Sequence, residues 1–202
     1  MRVCIFSARE RPELPNLCAA TVRHHHPTAH IVHMTDTVTL AIDQADEVRR
    51  IFWNKEEQSV TWLRLEHFAA LDDEPTVLLD SDTLVRGDLD GVFDQPFDVA
   101  LTVRHKDPRY NAGVMFSRCG AFWRALREHI HEHGDVTDFM AIDRTLEKMD
   151  DFNILDLPVG RWNCSDMKED FIPHCTVLHY KGLRKGMMPK HFYQYVWHRE
   201  VA

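Results

Sequence analysis

The chain lacks any run of about 20 apolar residues, the length that a membrane-spanning helix requires. The apolar stretch near its N-terminus, at 3–6, gives way to charge at Arg9 and is too short for a secretory signal peptide. These absences predict a protein without a membrane span that works in the cytoplasm.

Positive charge is scarce as well. The sequence has 24 lysine and arginine residues against 32 aspartate and glutamate residues, and its formal net charge is −8. Nucleic-acid backbones are bound by clustered positive charge. We therefore expect no nucleic-acid partner.

The sequence has no paired-cysteine motif, and its first turn has no glycine-rich nucleotide-binding motif. The five cysteines are odd in number, scattered and without a Cys-x-x-Cys pair, which is typical of free thiols in a reducing compartment. The turn at 7–12, after the first predicted strand, contains no glycine-rich fingerprint. A dinucleotide-binding Rossmann domain and a P-loop are therefore disfavoured.

What the sequence does have is the pattern of one α/β domain spanning 1–202. Its hydrophobic content of 44% and charged content of 28% are ordinary for a globular protein. A strand at 2–7, a helix at 12–26 and a strand at 30–34 predict a βαβ start. Later patterns predict helices at 58–71, 124–134 and 138–149, strands at 76–80, 99–103, 110–117 and 176–179, a short turn or helix at 88–93, and an irregular segment at 157–163.

Two carboxylates, Asp80 and Asp82, follow the apolar residues 76–79 directly. Side chains alternate along a strand, so both carboxylates point the same way if the extended geometry continues through Ser81. Neighbouring carboxylates repel each other, and a hard divalent metal removes that repulsion while taking phosphate oxygens as further ligands. The pattern predicts a metal site at the carboxyl edge of a sheet, with an exposed acidic turn as an equally good alternative.

Histidine clusters are weaker candidates for a metal site. The three consecutive histidines at 24–26 point about 100° apart on a helix and cannot all converge on one ion, so an exposed helix end is favoured. His129 and His133 share a helical face, but no His-Glu-x-x-His motif accompanies them. A solvated helical face is the favoured interpretation there.

Several other residues have both a functional and an ordinary interpretation. Arg64, on the helix before the acidic strand, either orients a carboxylate or touches a nucleotide, or it is a surface arginine. Asn111 offers donors and acceptors to a sugar hydroxyl and Gly113 suggests a close approach of backbone or ligand, although a turn before a core strand explains both. Asp36 either contacts a base or ribose or closes a turn. One basic stretch suits phosphate or a solvated terminus, and its members are Lys181, Arg184, Lys185 and Lys190.

Five motifs, taken in order, are more specific than any one of them. They are Arg64, Leu78-Leu79-Asp80-Ser81-Asp82, Asn111-Ala112-Gly113-Val114, Leu157-Pro158 with Trp162-Asn163, and His179-Tyr180-Lys181-Gly182-Leu183-Arg184-Lys185. Together they resemble the glycogenin and bacterial galactosyltransferase-like family of retaining glycosyltransferases, over about residues 60–190. The resemblance implies the GT-A fold, with a mixed, mostly parallel central sheet flanked by helices. The chain is shorter than typical members, which leaves the acceptor open.

The resemblance implies metal-dependent transfer of a sugar, with retention, from a nucleotide diphosphate sugar such as a UDP-sugar to an acceptor hydroxyl. By resemblance, Asp80, Asp82 and His179 hold Mn²⁺, or Mg²⁺, against the diphosphate. Asp143 falls near the family's acidic segment beside the anomeric carbon, and we take it with Asn111, which matches a donor-sugar contact, as the catalytic candidates. The donor-binding candidates that the motifs imply are Arg64, Asp80, Ser81, Asp82, Asn111, Gly182 and Lys185.

Two other functions remain open from the sequence. The stretch Leu79–Leu84 also fits the nucleophile strand of a haloacid dehalogenase-like phosphatase, in which Asp80 would attack phosphorus and Asp82 would act as general acid. Such a strand normally opens its domain, whereas about eighty residues precede it here. A non-catalytic nucleotide-sugar binder would keep the same motifs.

Overall fold

The computed structural model describes residues 1–104, 108–134, 138–148, 151–165 and 172–195, which form a seven-stranded sheet, a separate two-stranded sheet and flanking helices. The strands are β1 Arg2–Phe6, β2 His30–Asp36, β3 Glu47–Ile51, β4 Thr76–Asp80, β5 Thr83–Val85, β6 Val99–Val103, β7 Tyr110–Ser117, β8 Ile154–Pro158 and β9 Val177–His179. The helices are α1 Glu13–His25, α2 Val60–Ala69, α3 Gly120–His133, α4 Asp138–Lys148, α5 Val159–Trp162 and α6 Met188–Tyr195.

The large sheet has the strand order β3-β2-β1-β4-β7-β6-β8. Within the described residues β7 alone runs antiparallel to its neighbours, while the β3-β2-β1-β4 and β6-β8 pairings are parallel. The mixed, mostly parallel sheet implied by the resemblance is therefore confirmed. Because β7 is reversed, it begins at the edge where β1 and β4 end.

The core lies on both faces of this sheet. Successive residues of β1 alternate between the two hydrophobic clusters: Val3 and Ile5 pack on the face covered by α1, and Cys4 and Phe6 on the face covered by α2 and α3. Strands buried on both faces read as continuous apolar runs, which is why β1 and β4 were predictable.

Several elements differ from the sequence prediction. The charged edge strand β3 was missed because charges of this kind protect a sheet edge from further pairing and hide the strand pattern. The prediction of an irregular segment at 157–163 was wrong, because the edge strand β8 extends to Pro158 and helix α5 follows it directly. The helix predicted to reach Met149 is described only to Lys148, and Met149 lies outside the described residues.

The histidine predictions also need correction. His26 and His129 are each only 6% exposed, so neither belongs to a solvated helix face. The five cysteines are free thiols, as predicted. None of the described helices has the length and apolar character needed to cross a membrane.

Candidate active site

The metal ligands implied by the resemblance converge in the structure. One ligand atom from each of Asp80, Asp82 and His179 lies within 4.8 Å of the other two. His179 Nε2 is 3.1 Å from Asp82 Oδ1 and 3.5 Å from Asp80 Oδ2. Asp82 and His179 are buried, and Asp80 is partly exposed.

Two strand endings bring these residues together. Asp80 is the last residue of β4, and the chain turns through Ser81 and Asp82 into β5. Strand β5 pairs with β9 so that Thr83 faces His179, and the backbone N–H of Tyr180 donates to the carbonyl of Asp82 at 2.8 Å. The two-stranded sheet therefore holds the histidine over the acidic turn.

Gly113 makes room for the histidine ring. A Cβ at this position of β7 would overlap the ring of His179 and would lie 3.2 Å from Asp80 Oδ2. In addition, the pairing of β7 with β6 shifts register between Leu101 and Thr102. The shift lets the segment around Gly113 depart from regular pairing beside the site.

Asn163 fixes the tautomer of His179. Its Nδ2 donates to Thr102 Oγ1 at 2.9 Å, and that hydroxyl in turn donates to the carbonyl of Asn111 at 2.8 Å. The side-chain oxygen of Asn163 is thereby the atom that accepts from His179 Nδ1, at 2.7 Å. In the neutral ring Nε2 then carries a lone pair that faces two carboxylates, an arrangement that fits a divalent cation and matches the usual support of a metal-binding histidine.

Two cations flank the carboxylates. Arg64 Nη2 lies 2.5 Å from Asp80 Oδ1, and its guanidinium stacks 4.9 Å from the centroid of the Phe6 ring. Lys185 Nζ lies 3.0 Å from Asp82 Oδ2. Burial raises the pKa of Asp82, but the adjoining imidazole of His179 and the ammonium of Lys185 outweigh it and hold that pKa below its ordinary value.

A cleft of about 200 Å³ opens beside this cluster. It lies at the carboxyl edge of β1 and β4, where open α/β sheets bind ligands. The residues lining it are Phe6, Ser7, Ala8, Glu10, Val60, Arg64, Asp80, Ser81, Asp82 and Lys185.

No protein-family model matches the sequence, and no curated protein matches it. Solved structures do match it. The glycosyltransferase GlyE of Streptococcus pneumoniae TIGR4 matches with a TM-score of 0.70 and 15% identity, over 96% of this chain and 59% of GlyE. The galactosyltransferase LgtC, in complex with donor and acceptor sugar analogues, matches with a TM-score of 0.62 and 13% identity, over 97% of this chain and 96% of LgtC.

A glycosyltransferase involved in the glycosylation of the major capsid of PBCV-1 matches with a TM-score of 0.62 and 10% identity, over 96% of this chain and all of its own length (100%). The chain has the GT-A fold. At these identities the likeness establishes the GT-A fold alone, and this chain spans only 59% of the length of GlyE.

The remaining donor-binding candidates take different places in the GT-A fold. Ser81 and Lys185 line the cleft. Gly182 has a φ of 58°, a conformation that favours glycine, and starts the 3₁₀ turn 182–187 that returns Lys185 to the cleft. Asn111 is buried, and its side-chain oxygen accepts from Lys181 Nζ at 3.2 Å and from the backbone N–H of Gly113 at 3.3 Å.

Asp143 lies elsewhere. Its Oδ2 accepts from the backbone N–H of Arg109 at 2.7 Å, and it lines a second cleft of about 340 Å³ together with Arg109, Tyr110, Leu146 and Glu147. The structure does not place Asp143 among the residues that line the acidic cleft. Its role beside an anomeric carbon stays a prediction.

Sequence reasoning missed two residues of this site. Glu10 lines the cleft and contacts both Ser81 and Lys185, but it stands in a turn without a recognisable motif. Asn163 belongs to one of the sequence motifs, but the motif assigns it no role, and only the fold brings it to His179. A signal existed for Gly113, because a glycine inside a strand marks a close approach.

A second group that could hold a cation consists of His26, Asp88 and Asp90. Both aspartates are exposed, and His26 Nε2 already accepts from the backbone N–H of Leu89 at 3.2 Å. Asp88 accepts from the backbone N–H groups of Asp90 and Gly91, as expected of a side chain that closes a turn. These contacts account for the group without an ion.

Proposed function

We propose that this protein transfers a sugar, with retention, from a nucleotide diphosphate sugar to an acceptor hydroxyl, with UDP-sugars as the first donors to test. The observation that supports this most directly is the convergence of Asp80, Asp82 and His179 beside a cleft at the ligand-binding edge of a GT-A fold. The acceptor is an unidentified hydroxyl compound.

Asp80, Asp82 and His179 would hold a divalent metal, which when bound offsets the negative charge that develops on the leaving diphosphate. An imidazole beside two carboxylates favours Mn²⁺ over Mg²⁺, because imidazole is the softer donor. The pairing of His179 Nδ1 with Asn163 keeps Nε2 turned toward the carboxylates.

Lys185 and Arg64 would provide further electrostatic stabilisation. Lys185 stands in the cleft next to Asp82 and is placed to donate to a phosphate oxygen. Arg64 holds Asp80 in orientation through its ion pair. Asn111 as a donor-sugar contact and Asp143 beside the anomeric carbon complete the proposal, and both rest on the resemblance.

A phosphatase that uses Asp80 as nucleophile is not favoured. Asp80 belongs to the fourth strand in chain order, and one of its oxygens is engaged by Arg64 at 2.5 Å. The three solved structures reported above are glycosyltransferases.

The test is donor hydrolysis in the absence of acceptor, because the groups that stabilise the leaving diphosphate also act when water is the acceptor. Purified protein is incubated with a panel of nucleotide diphosphate sugars, with Mn²⁺ or with chelator, and release of the nucleotide diphosphate is measured. We expect slow, Mn²⁺-dependent release from one donor. If calorimetry shows that a donor of the panel binds but no nucleotide diphosphate is released from it, the protein is instead a non-catalytic binder. No binding across the panel would contradict the proposal.

Retention is tested separately. Once an acceptor supports transfer, proton NMR of the product reports the configuration of the new linkage. An inverted linkage would remove retention from the proposal while leaving sugar transfer intact.

A further inference from the structure

Glu10 is a third carboxylate in the cleft, and both of its oxygens are engaged. Oε1 lies 3.1 Å from Lys185 Nζ, and Oε2 accepts a hydrogen bond from Ser81 Oγ at 2.5 Å. The side chain of Glu10 is 31% exposed and that of Lys185 is 36% exposed. Glu10 therefore links the turn after β1, the acidic turn after β4 and the basic segment after β9.

These contacts are of the kind that a phosphate group makes. An anionic oxygen on an ammonium and a second one on a hydroxyl are typical phosphate contacts. Lys185 is already placed between Glu10 at 3.1 Å and Asp82 at 3.0 Å. A phosphate that binds Lys185 has to compete with a carboxylate of the chain itself.

The charges of the cleft also indicate that an incoming phosphate competes with Glu10 for Lys185. Three carboxylates line it, those of Glu10, Asp80 and Asp82, against the two cations Arg64 and Lys185. A divalent metal offsets the pair of carboxylates that binds it, and Glu10 then remains as the carboxylate closest to the ammonium that an incoming anion needs. Without a metal, an anion enters a cleft in which the carboxylates already outnumber the cations.

We propose that Glu10 is an exchangeable counter-ion of Lys185, which a metal-anchored diphosphate replaces and a free anion does not. This inference rests on the proposed function, since it concerns the same cleft. A diphosphate held at the metal is presented to Lys185 at high effective concentration, whereas a free anion is not. Glu10 thus makes anion binding in the cleft conditional on the metal.

The exchange requires only side-chain rotation. The backbone before Glu10 is held in place because Arg9, which has a φ of 50°, donates its N–H to Thr39 Oγ1 at 2.7 Å and stacks its guanidinium 5.7 Å from the Trp53 ring. A glutamate side chain has several rotatable bonds beyond this backbone, so it can leave Lys185 without moving the turn.

The experiment is a calorimetric titration of the full chain with inorganic pyrophosphate, with Mn²⁺ and with chelator, in three proteins: wild type, Glu10→Gln and Glu13→Gln. Glu13 is an exposed residue at the start of α1 and does not line the cleft, so its variant controls for the change in net charge. We expect Glu10→Gln to bind pyrophosphate with Mn²⁺ about 1.5- to fivefold more tightly than wild type, the range expected for release of a partly exposed ion pair. We also expect it to bind pyrophosphate measurably in chelator, and Glu13→Gln to behave as wild type.

Unchanged or weaker binding by Glu10→Gln would overturn the inference and would indicate that Glu10 holds Lys185 in place for the ligand. Absence of pyrophosphate binding by wild type and Glu10→Gln with Mn²⁺ would overturn it as well. The nucleotide diphosphates and nucleotide diphosphate sugars of the donor panel are titrated in parallel. If the variant binds pyrophosphate more tightly while neither protein binds a nucleotide, the inference about Glu10 holds and the proposed function fails.

Discussion

Gly113 and His179 are in contact in a way that leaves no space for a side chain on the glycine, since a Cβ there would overlap the imidazole ring. The two residues belong to different sheets, β7 in the large one and β9 in the small one. The position of the histidine over Asp80 and Asp82 therefore depends on the absence of a side chain at 113.

Gly113→Ala tests this dependence. The new methyl group has to push the His179 ring away, and we expect the affinity for Mn²⁺ to fall by about tenfold or more, as for loss of a metal-orienting contact. The matched control is Gly160→Ala, because Gly160 is exposed and a Cβ there meets nothing within 4 Å. Mn²⁺ binding is measured by calorimetry. Equal affinities in the two variants would show that the ring does not act as a ligand in this position.

Asn163→Ala removes the acceptor that holds the His179 ring. We expect a roughly 10- to 100-fold loss in Mn²⁺ affinity, the usual effect of removing such a partner, while the fold is retained. Asn153→Ala serves as control, because Asn153 is exposed and its side-chain amide donates only to the carbonyl of Pro96, at 3.1 Å, among its described contacts. Circular dichroism of both variants checks that they are folded. A variant that is folded and binds Mn²⁺ like wild type would contradict the tautomer assignment.

Asp82→Ala should abolish Mn²⁺-dependent binding of the nucleotide and leave the fold intact. It should also lower turnover of any donor by roughly 10²-fold or more, the typical loss for one electrostatic contact of a transition state. The thermal midpoint gives an independent measure, since a ligand at about 100 times its Kd stabilises a protein by about 2.7 kcal/mol. Mn²⁺ should raise the melting temperature of wild type and of Asp94→Ala, an exposed control, but not that of Asp82→Ala. A similar Mn²⁺-induced rise in Asp82→Ala would remove Asp82 from the ligand set.

Two buried histidines should make the protein less stable in mild acid. Burial, together with nearby positive charge, lowers the pKa of His33 to about 4, and burial lowers the pKa of His67 to about 4. Because the unfolded chain takes up these protons near pH 6.5 and the folded chain near pH 4, stability is full above about pH 6.5 and is lost as the pH falls toward 4. Each group contributes a slope of about 1.4 kcal/mol per pH unit within that range.

The measurement is urea unfolding at pH 7 and pH 5 for wild type and His67→Phe. His67 is 2% exposed, and its Nε2 donates to the carbonyl of Thr35 at 3.0 Å, so the variant is expected to be less stable at both pH values. The decisive quantity is the difference in the free energy of unfolding between pH 7 and pH 5, which should be smaller in the variant by about 1–2 kcal/mol. An identical difference in both proteins would show that His67 titrates normally.

The sequence was most informative where local pattern and fold agree. Strand β4 was predicted from its apolar residues, because a strand buried on both faces has a continuous run of apolar residues in its sequence. The acidic end of the strand was predicted from Asp80 and Asp82, which follow that run. Strand β3, at Glu47–Ile51, was not predicted because it has no apolar run: three of its five residues are charged, as is typical of a strand at the edge of a sheet. Strand β5 was missed because its three residues follow the acidic turn after β4 directly, with no loop pattern to mark a new strand.

The site shows the same division. Asp80, Asp82 and His179 were predicted to act together because they belong to motifs of the family that the sequence resembles, and the structure brings them together. Glu10 and Asn163 were not assigned a role, because their function depends on contacts between segments far apart in the chain, and no local pattern records such contacts. The basic stretch was predicted as a whole, yet of its four members only Lys185 lines the cleft.

The pairing of β5 with β9 also has a consequence for how the protein folds. Asp82 directly precedes Thr83 of β5, and His179 ends β9, so these two side chains meet only when two segments far apart in the chain have paired. Closing so long a loop costs entropy that local structure cannot recover, and contacts of this kind tend to form late. We therefore expect Asp80, Asp82 and His179, the proposed metal ligands, to meet among the last steps of folding, and a nascent chain that ends before residue 177 lacks one of the three.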